Sequence, residues 1–188
     1  MRAISLIILY TALIAGANSA LAENSNISAL NQLRQGDMQK LVLHAAPKRV
    51  SNIPFFTEHG AEKTLDDYKG RYVLVNFWAT WCAPCRAEMP SLSTLQSTIG
   101  GSDFSVVTIA TGRNTPAAID KFFAEIGIGN LPTYRDPKQK LARSMAVLGL
   151  PASILISPDG REIGRLLGDA NWSNASAFAL LSSWVEQD

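Results

Sequence analysis

The segment F-W-A-T-W-C-A-P-C-R-A-E-M-P, Phe77 to Pro90, decides how this chain is read. It holds the only two cysteines of the 188 residues, Cys82 and Cys85, with two residues between them. Just upstream, R-Y-V-L-V-N-F-W-A (71–79) is a near-continuous apolar run, as expected of a strand covered on both faces of a sheet. Downstream the pattern is helical to Ile99 and stops at Gly100-Gly101. A cysteine that ends a buried strand and opens a helix lies against unsatisfied backbone N–H groups and the positive end of the helix dipole. Both favour thiolate, and such placement lowers a thiol pKa from about 8.5 to about 7 or below. Pro84 suits the first turn, where its missing N–H costs nothing. Cys85 falls one turn further in, on the same side, and is expected to be the more buried sulfur. Cys82 is thus the candidate nucleophile, and Cys85 the thiol that resolves a mixed disulfide.

Three other uses of such a pair weigh less. A structural disulfide across two residues closes a very small loop and removes little unfolded-state entropy. A zinc site takes about four ligands, and the other candidates of note, His44 and His59, lie in the N-terminal part. Haem attachment needs a histidine directly after the second cysteine, where Arg86 stands.

The N-terminal stretch M-R-A-I-S-L-I-I-L-Y-T-A-L-I-A-G-A-N-S-A-L-A has one basic residue, an apolar run and an Ala20-Leu21-Ala22 ending. Residues 1–22 therefore read as a secretory signal cleaved after Ala22, with an uncleaved anchor over residues 4–21 as the alternative. Either way the remainder is expected outside the cytoplasm, in the periplasm, where disulfides persist. No later run reaches the ~18 apolar residues of a membrane span. Without Arg2 the charges balance at 16 basic and 16 acidic residues, which gives no electrostatic case for nucleic acid or an anionic membrane as partner.

Residues 23–52 read as an extension, partly helical, in which Ile27, Leu30, Leu33, Met38, Leu41 and Val42 recur at roughly helical spacing until Pro47. The main domain is placed at 53–188. It starts with a hairpin around His59-Gly60 and a helical turn stopped by Gly70. The strand and helix of the cysteine segment follow, then a buried strand F-S-V-V-T-I-A-T (104–111). A helix capped by Thr115 with Pro116 first and Gly127 at its end comes next. The pattern then gives a short strand at 131–134, a helix over 137–148 and a hairpin turning at Pro158-Asp159-Gly160. A last amphipathic helix covers 171–186. This alternation predicts an α/β fold: a mixed central sheet with helices on both faces.

F-W-A-T-W-C-A-P-C-R-A-E-M-P resembles the active-site segment of the thioredoxin superfamily, in its exported TlpA/ResA/CcmG branch. Trp81, Cys82, Pro84 and Cys85 match the redox motif, and Pro90 matches the proline that kinks the helix. G-L-P-A-S-I-L-I-S-P-D-G-R-E-I-G-R (149–165) is similar to the second signature, in which a cis proline faces the cysteines; here that is Pro151, preceded by Leu150. The resemblance implies a thioredoxin-like fold and a redox-active Cys82–Cys85 disulfide. It implies a substrate groove at Trp81, Pro84, Leu150 and Pro151, with the Leu150 backbone open to an added strand. Thioredoxins proper carry a buried aspartate where Asn76 stands, and an amide takes no proton from a thiol. The branch has a helix glutamate instead, matched by Glu88, three residues beyond Cys85; if partly desolvated, its raised pKa makes it a proton acceptor.

The activity so implied is an extracytoplasmic protein thiol–disulfide oxidoreductase, reducing partner disulfides in copper-centre or cytochrome c assembly. Its expected electron donor is a membrane thiol transporter of the DsbD or CcdA type. No cofactor, no metal, no nucleic acid and a monomeric state are expected. Two alternatives stand beside it. One is a disulfide-forming oxidase, although Ala83-Pro84 lacks the histidine typical of strong oxidants. The other is a Sco-like copper chaperone, a family that separates its cysteines by three residues and adds a distant histidine absent after His59.

Overall fold

In the computed structural model, residues 27–186 are described; the expected signal or anchor lies outside them. Strand β4 (Tyr72–Trp78) is buried at every position, as its unbroken apolar run requires. It lies between β5 (Phe104–Thr111), parallel to it, and β7 (Ala152–Ile156), antiparallel. One side continues through β6 (Tyr134–Asp136) to the hairpin β2 (Phe55–Phe56) and β3 (Glu62–Lys63); the other continues through β8 (Arg161–Leu167) to β1 (Leu41–Arg49). The result is one mixed eight-stranded sheet in the order β1-β8-β7-β4-β5-β6-β2-β3.

Alternation along β4 assigns each side chain to one of two cores. Leu74 and Trp78 face a layer made by α2 (Ala83–Ile99), α3 (Pro116–Glu125) and α5 (Ala175–Val185). Val73, Val75 and Phe77 face the other way, against α4 (Lys140–Ser144) and the 3-10 turn Leu65–Tyr68. Helices on both faces of a mixed sheet give the thioredoxin-like fold.

The extension departs from its helical reading. A short helix over residues 27–32 (α1) and a 3-10 turn over Gly36–Lys40 do form, and Leu30 and Met38 are buried in the core. Leu41 and Val42, however, are in strand β1, paired with Leu166 and Arg165 of β8. An edge strand leaves a row of unpaired N–H and C=O groups, and ladder pairing there outweighs a helical period carried by only two more residues. The sheet therefore starts inside the segment read as an extension. Across the bulge between Leu43 and Lys48, His44 Nε2 lies 2.7 Å from Glu162 Oε1, and Arg165 holds both oxygens of that carboxylate at 2.6 and 2.7 Å.

Gly164 permits the close approach of β1: a Cβ built there would lie 2.9 Å from the Val42 carbonyl oxygen. Gly164→Ala is expected to push the edge strand outward at a cost of about 1–3 kcal/mol, read from the urea midpoint. An unchanged midpoint would show that β1 gives way freely.

Three further boundaries move. The expected strand at 131–134 forms at Tyr134–Asp136, because Leu131 turns into the core and Pro132 cannot donate to a ladder. The helix expected over 137–148 shortens to Lys140–Ser144. Gln139 (φ 55°) and Ala146 (φ 53°) adopt left-handed backbone at its two ends, and the buried Asp136 carboxylate accepts from Lys140 N and Ala142 N instead. The last helix begins at Ala175 under an Asn174 cap, since residues 170–172 are held by α2.

Candidate active site

Cys82 is the N-cap of α2, with extended backbone (φ −90°, ψ 104°), and its Sγ accepts from Cys85 N at 3.3 Å. Pro84 falls within the first turn, as expected. The two cysteines form a disulfide, so the structure is that of the oxidised protein. Cys82 is 6% exposed and Cys85 fully buried, the asymmetry expected for an attacking and a resolving sulfur. Both histidines are engaged away from the pair, His44 with Glu162 and His59 with Glu58.

The loop between β4 and Cys82 is pinned by a residue that sequence reasoning missed. Asn114 Oδ1 accepts from Thr80 N (2.8 Å) and Thr80 Oγ1 (2.9 Å), while its Nδ2 donates to Thr111 O at 2.9 Å. One amide thus ties the turn before the cysteine to the end of β5. Its only sequence signal is an asparagine just after a glycine turn. Within α2, Arg86 lies 4.1 Å over the Phe122 ring, and Pro90 removes the N–H that would meet the Arg86 carbonyl.

Glu88 stands three residues beyond Cys85, and side chains at that spacing are neighbours on a helix surface. It is 4% exposed and faces the sheet. Asn76 Nδ2 donates to its Oε1 at 2.8 Å; Ala170 N (3.2 Å) and Trp172 Nε1 (3.3 Å) donate to Oε2. Burial nevertheless dominates and raises its pKa from 4.5 to about 7; the three donors oppose the rise, and the nearby Asp169 charge adds to it. Asn76 also donates to Ser153 Oγ at 3.0 Å, and its buried Oδ1 has no partner among the described residues. A buried carboxyl that titrates near neutrality, one helical turn from a resolving cysteine, can hold or release a proton at physiological pH. Trp172 carries no motif signal, and Ser153, though inside the second signature, gives no sign of its role, because they meet Glu88 from 84 residues away and Asn76 from 77.

The Leu150–Pro151 bond is cis, as the family likeness implies. Trp81, Cys82, Pro84 and Leu150 line one cavity of about 440 Å³, so these groove residues are brought together at the surface sulfur. Pro151 itself is buried behind them, with its carbonyl accepting from Gly168 N. Trp81 is 65% exposed, which rules out a packing role for most of its ring.

Residues 42–161 match the AhpC/TSA family. The thiol-disulfide oxidoreductase ResA of Bacillus thuringiensis is 30% identical over 122 residues, 65% of this chain and 69% of that protein. The thiol:disulfide interchange protein HelX of Rhodobacter capsulatus is 34% identical over 112 residues, 58% of this chain and 61% of HelX. Among solved structures, the exposed lipoprotein thioredoxin Etrx1 of Streptococcus pneumoniae superposes with a TM-score of 0.59 at 25% identity, covering 71% of this chain and 98% of that one. A family match that spans both the cysteine pair and the cis proline, joined to ResA likeness over more than two thirds of that protein, places this chain in the AhpC/TSA family, among its ResA-like thiol–disulfide oxidoreductases.

Proposed function

We propose that the protein reduces disulfides of partner proteins outside the cytoplasm. The observation that carries this reading is the pairing of a fully buried resolving sulfur with a buried carboxyl that titrates near 7. In the reduced protein the Cys82 thiolate attacks a client disulfide, forming a mixed disulfide and releasing one client thiolate. The Cys85 thiol passes its proton to the Glu88 carboxylate, and the resulting thiolate attacks Cys82 Sγ. That closes the Cys82–Cys85 bond and releases the second client sulfur. Two electrons move to the client, and the protein is left oxidised.

Restoring the dithiol takes a thiol donor, which in an oxidising compartment is a membrane transporter of the DsbD or CcdA type. Clients are metalloprotein precursors whose cysteines must be reduced before they receive copper or haem, and the TlpA-like sequence features favour the copper side. An exported location is supported by the N-terminal leader pattern and by the exposed lipoprotein among its structural relatives. Among the described residues no helix is long and apolar enough to cross a membrane.

The deciding measurement is the reduction potential of the Cys82–Cys85 pair by glutathione equilibration. A value well below about −200 mV is expected; one near −120 mV would reverse the direction of electron flow. Cys85→Ala should in addition accumulate mixed disulfides on Cys82, from which clients are identified by mass spectrometry.

A further inference from the structure

The groove beside Cys82 continues past the sulfur. Its first part, with Val147, Leu148 and Leu150, joins a second depression of about 480 Å³ through a shared wall of Trp81, Gln139 and Arg143. Two large apolar side chains stand out from the walls: Trp81 at 65% and Leu148 at 96% exposure. Exposed residues of that size in the walls of the same cavity as a reactive sulfur point to an apolar contact that is covered when a partner is present.

The second depression adds charge. Arg113 and Lys138 line it together with Arg143, and all three are exposed. Among the described residues no carboxylate lines either depression. Arg143 Nη2 is bonded to the neutral Gln139 Oε1 at 3.1 Å, and among the described residues none of the three cations has an acidic partner. Some exposed cations elsewhere are paired, as with Lys40–Asp37, Lys69–Asp66 and Arg161–Asp159, and others, such as Lys48 and Arg49, have no acidic partner among the described residues; what marks this site is the gathering of three around one depression. Three unpaired cations around one concavity of an otherwise balanced protein form a local positive field.

We propose that the client segment taken by this groove is extended and acidic: an apolar residue beside its reactive cysteine seats between Trp81 and Leu148, and carboxylates further along meet Arg113, Lys138 and Arg143. This rests on the exchange reaction proposed above. A peptide fits better than an anionic membrane, because the cations line a concavity that continues from the sulfur, and the Leu150 backbone beside it makes no hydrogen bond among the described residues. Complementary charge of this kind acts on encounter rate and partner choice more than on bond strength.

The test uses the full reduced protein and three peptides that differ only in three positions beyond a Leu-Cys pair: aspartates, serines or lysines. Each is supplied as its mixed disulfide with 2-mercaptoethanol. At low ionic strength the aspartate peptide should be reduced about tenfold faster than the lysine peptide, with serine between, since electrostatic steering changes rates by ~10-fold or more. The ratio should collapse in 1 M salt, where charges are screened within about 3 Å. The triple substitution Arg113→Glu, Lys138→Glu, Arg143→Glu should invert the order. Equal rates, or a faster lysine peptide, would overturn the proposal. So would binding to 3:1 phosphatidylcholine–phosphatidylglycerol vesicles without any peptide preference. If none of the three peptides is reduced, it is the exchange reading that falls. Calorimetric titration of the oxidised protein with cysteine-free aspartate and lysine peptides then still decides the docking.

Discussion

Glu88→Gln is expected to slow resolution of the mixed disulfide by about a hundredfold near pH 7, the lower end of what a positioned general base contributes. The amide cannot take the Cys85 proton. In the wild-type protein the resolving rate should climb as pH rises through about 7, where the buried carboxyl ionises, and the variant should lack that climb. Stability gives an independent reading. The folded carboxyl titrates near 7 and an ordinary glutamate at 4.5, so between these limits the folded state holds a proton that the unfolded chain has lost. Stability from this group is fully present below 4.5 and declines as pH rises, levelling above 7 after a fall of about 3 kcal/mol. Glutamine removes this dependence, and the Oδ1 of Asn76, without a partner among the described residues, gives its amide an acceptor once the Asn76 amide turns over. Denaturation curves at pH 4.5, 6 and 8 that change alike in both proteins would reject the role of Glu88 and its raised pKa together.

Trp172→Ala is expected to cost about 3–5 kcal/mol, because it deletes a fully buried indole and leaves a cavity against α2. For a chain of this size that lowers Tm by about 10 °C. The substitution also removes one of three donors to Glu88, so the carboxyl should titrate higher than in wild type. Trp172→Phe separates the two effects: it keeps much of the ring volume while losing the N–H. A Phe variant with near-normal Tm and an upward-shifted pH–rate profile is the expected result. A profile that does not move would make Trp172 a packing residue alone.

The reading of the sequence succeeded where one local signal decides the outcome. The run 72–78, the caps at Cys82 and Thr115, and the Pro158-Asp159-Gly160 turn each dictate their element without help from elsewhere. It failed where distant groups compete for the backbone. Leu41 and Val42 carry a period compatible with a helix, yet β8 offers them a ladder from more than a hundred residues away. Gln139 and Ala146 bear no mark of left-handed backbone, so α4 ends sooner than its pattern does. The cysteine pair was legible because spacing, strand and helix are contiguous. The cradle around Glu88 was not, because Asn76, Ala170 and Trp172 converge only after folding.

The sheet that separates two cores also separates two kinds of tuning. Cys85 and the cradle of Glu88 belong to the layer of α2 and α5, whereas Ala142, next to Arg143 on α4, packs in the layer across the strands. Energetic effects of residues that share no partners add. Changes at Arg143 and changes that alter how the proton moves at Glu88 should therefore combine as independent factors. Leu150, which packs against both layers, is the joint between Arg143 on one side and the cradle of Glu88 on the other.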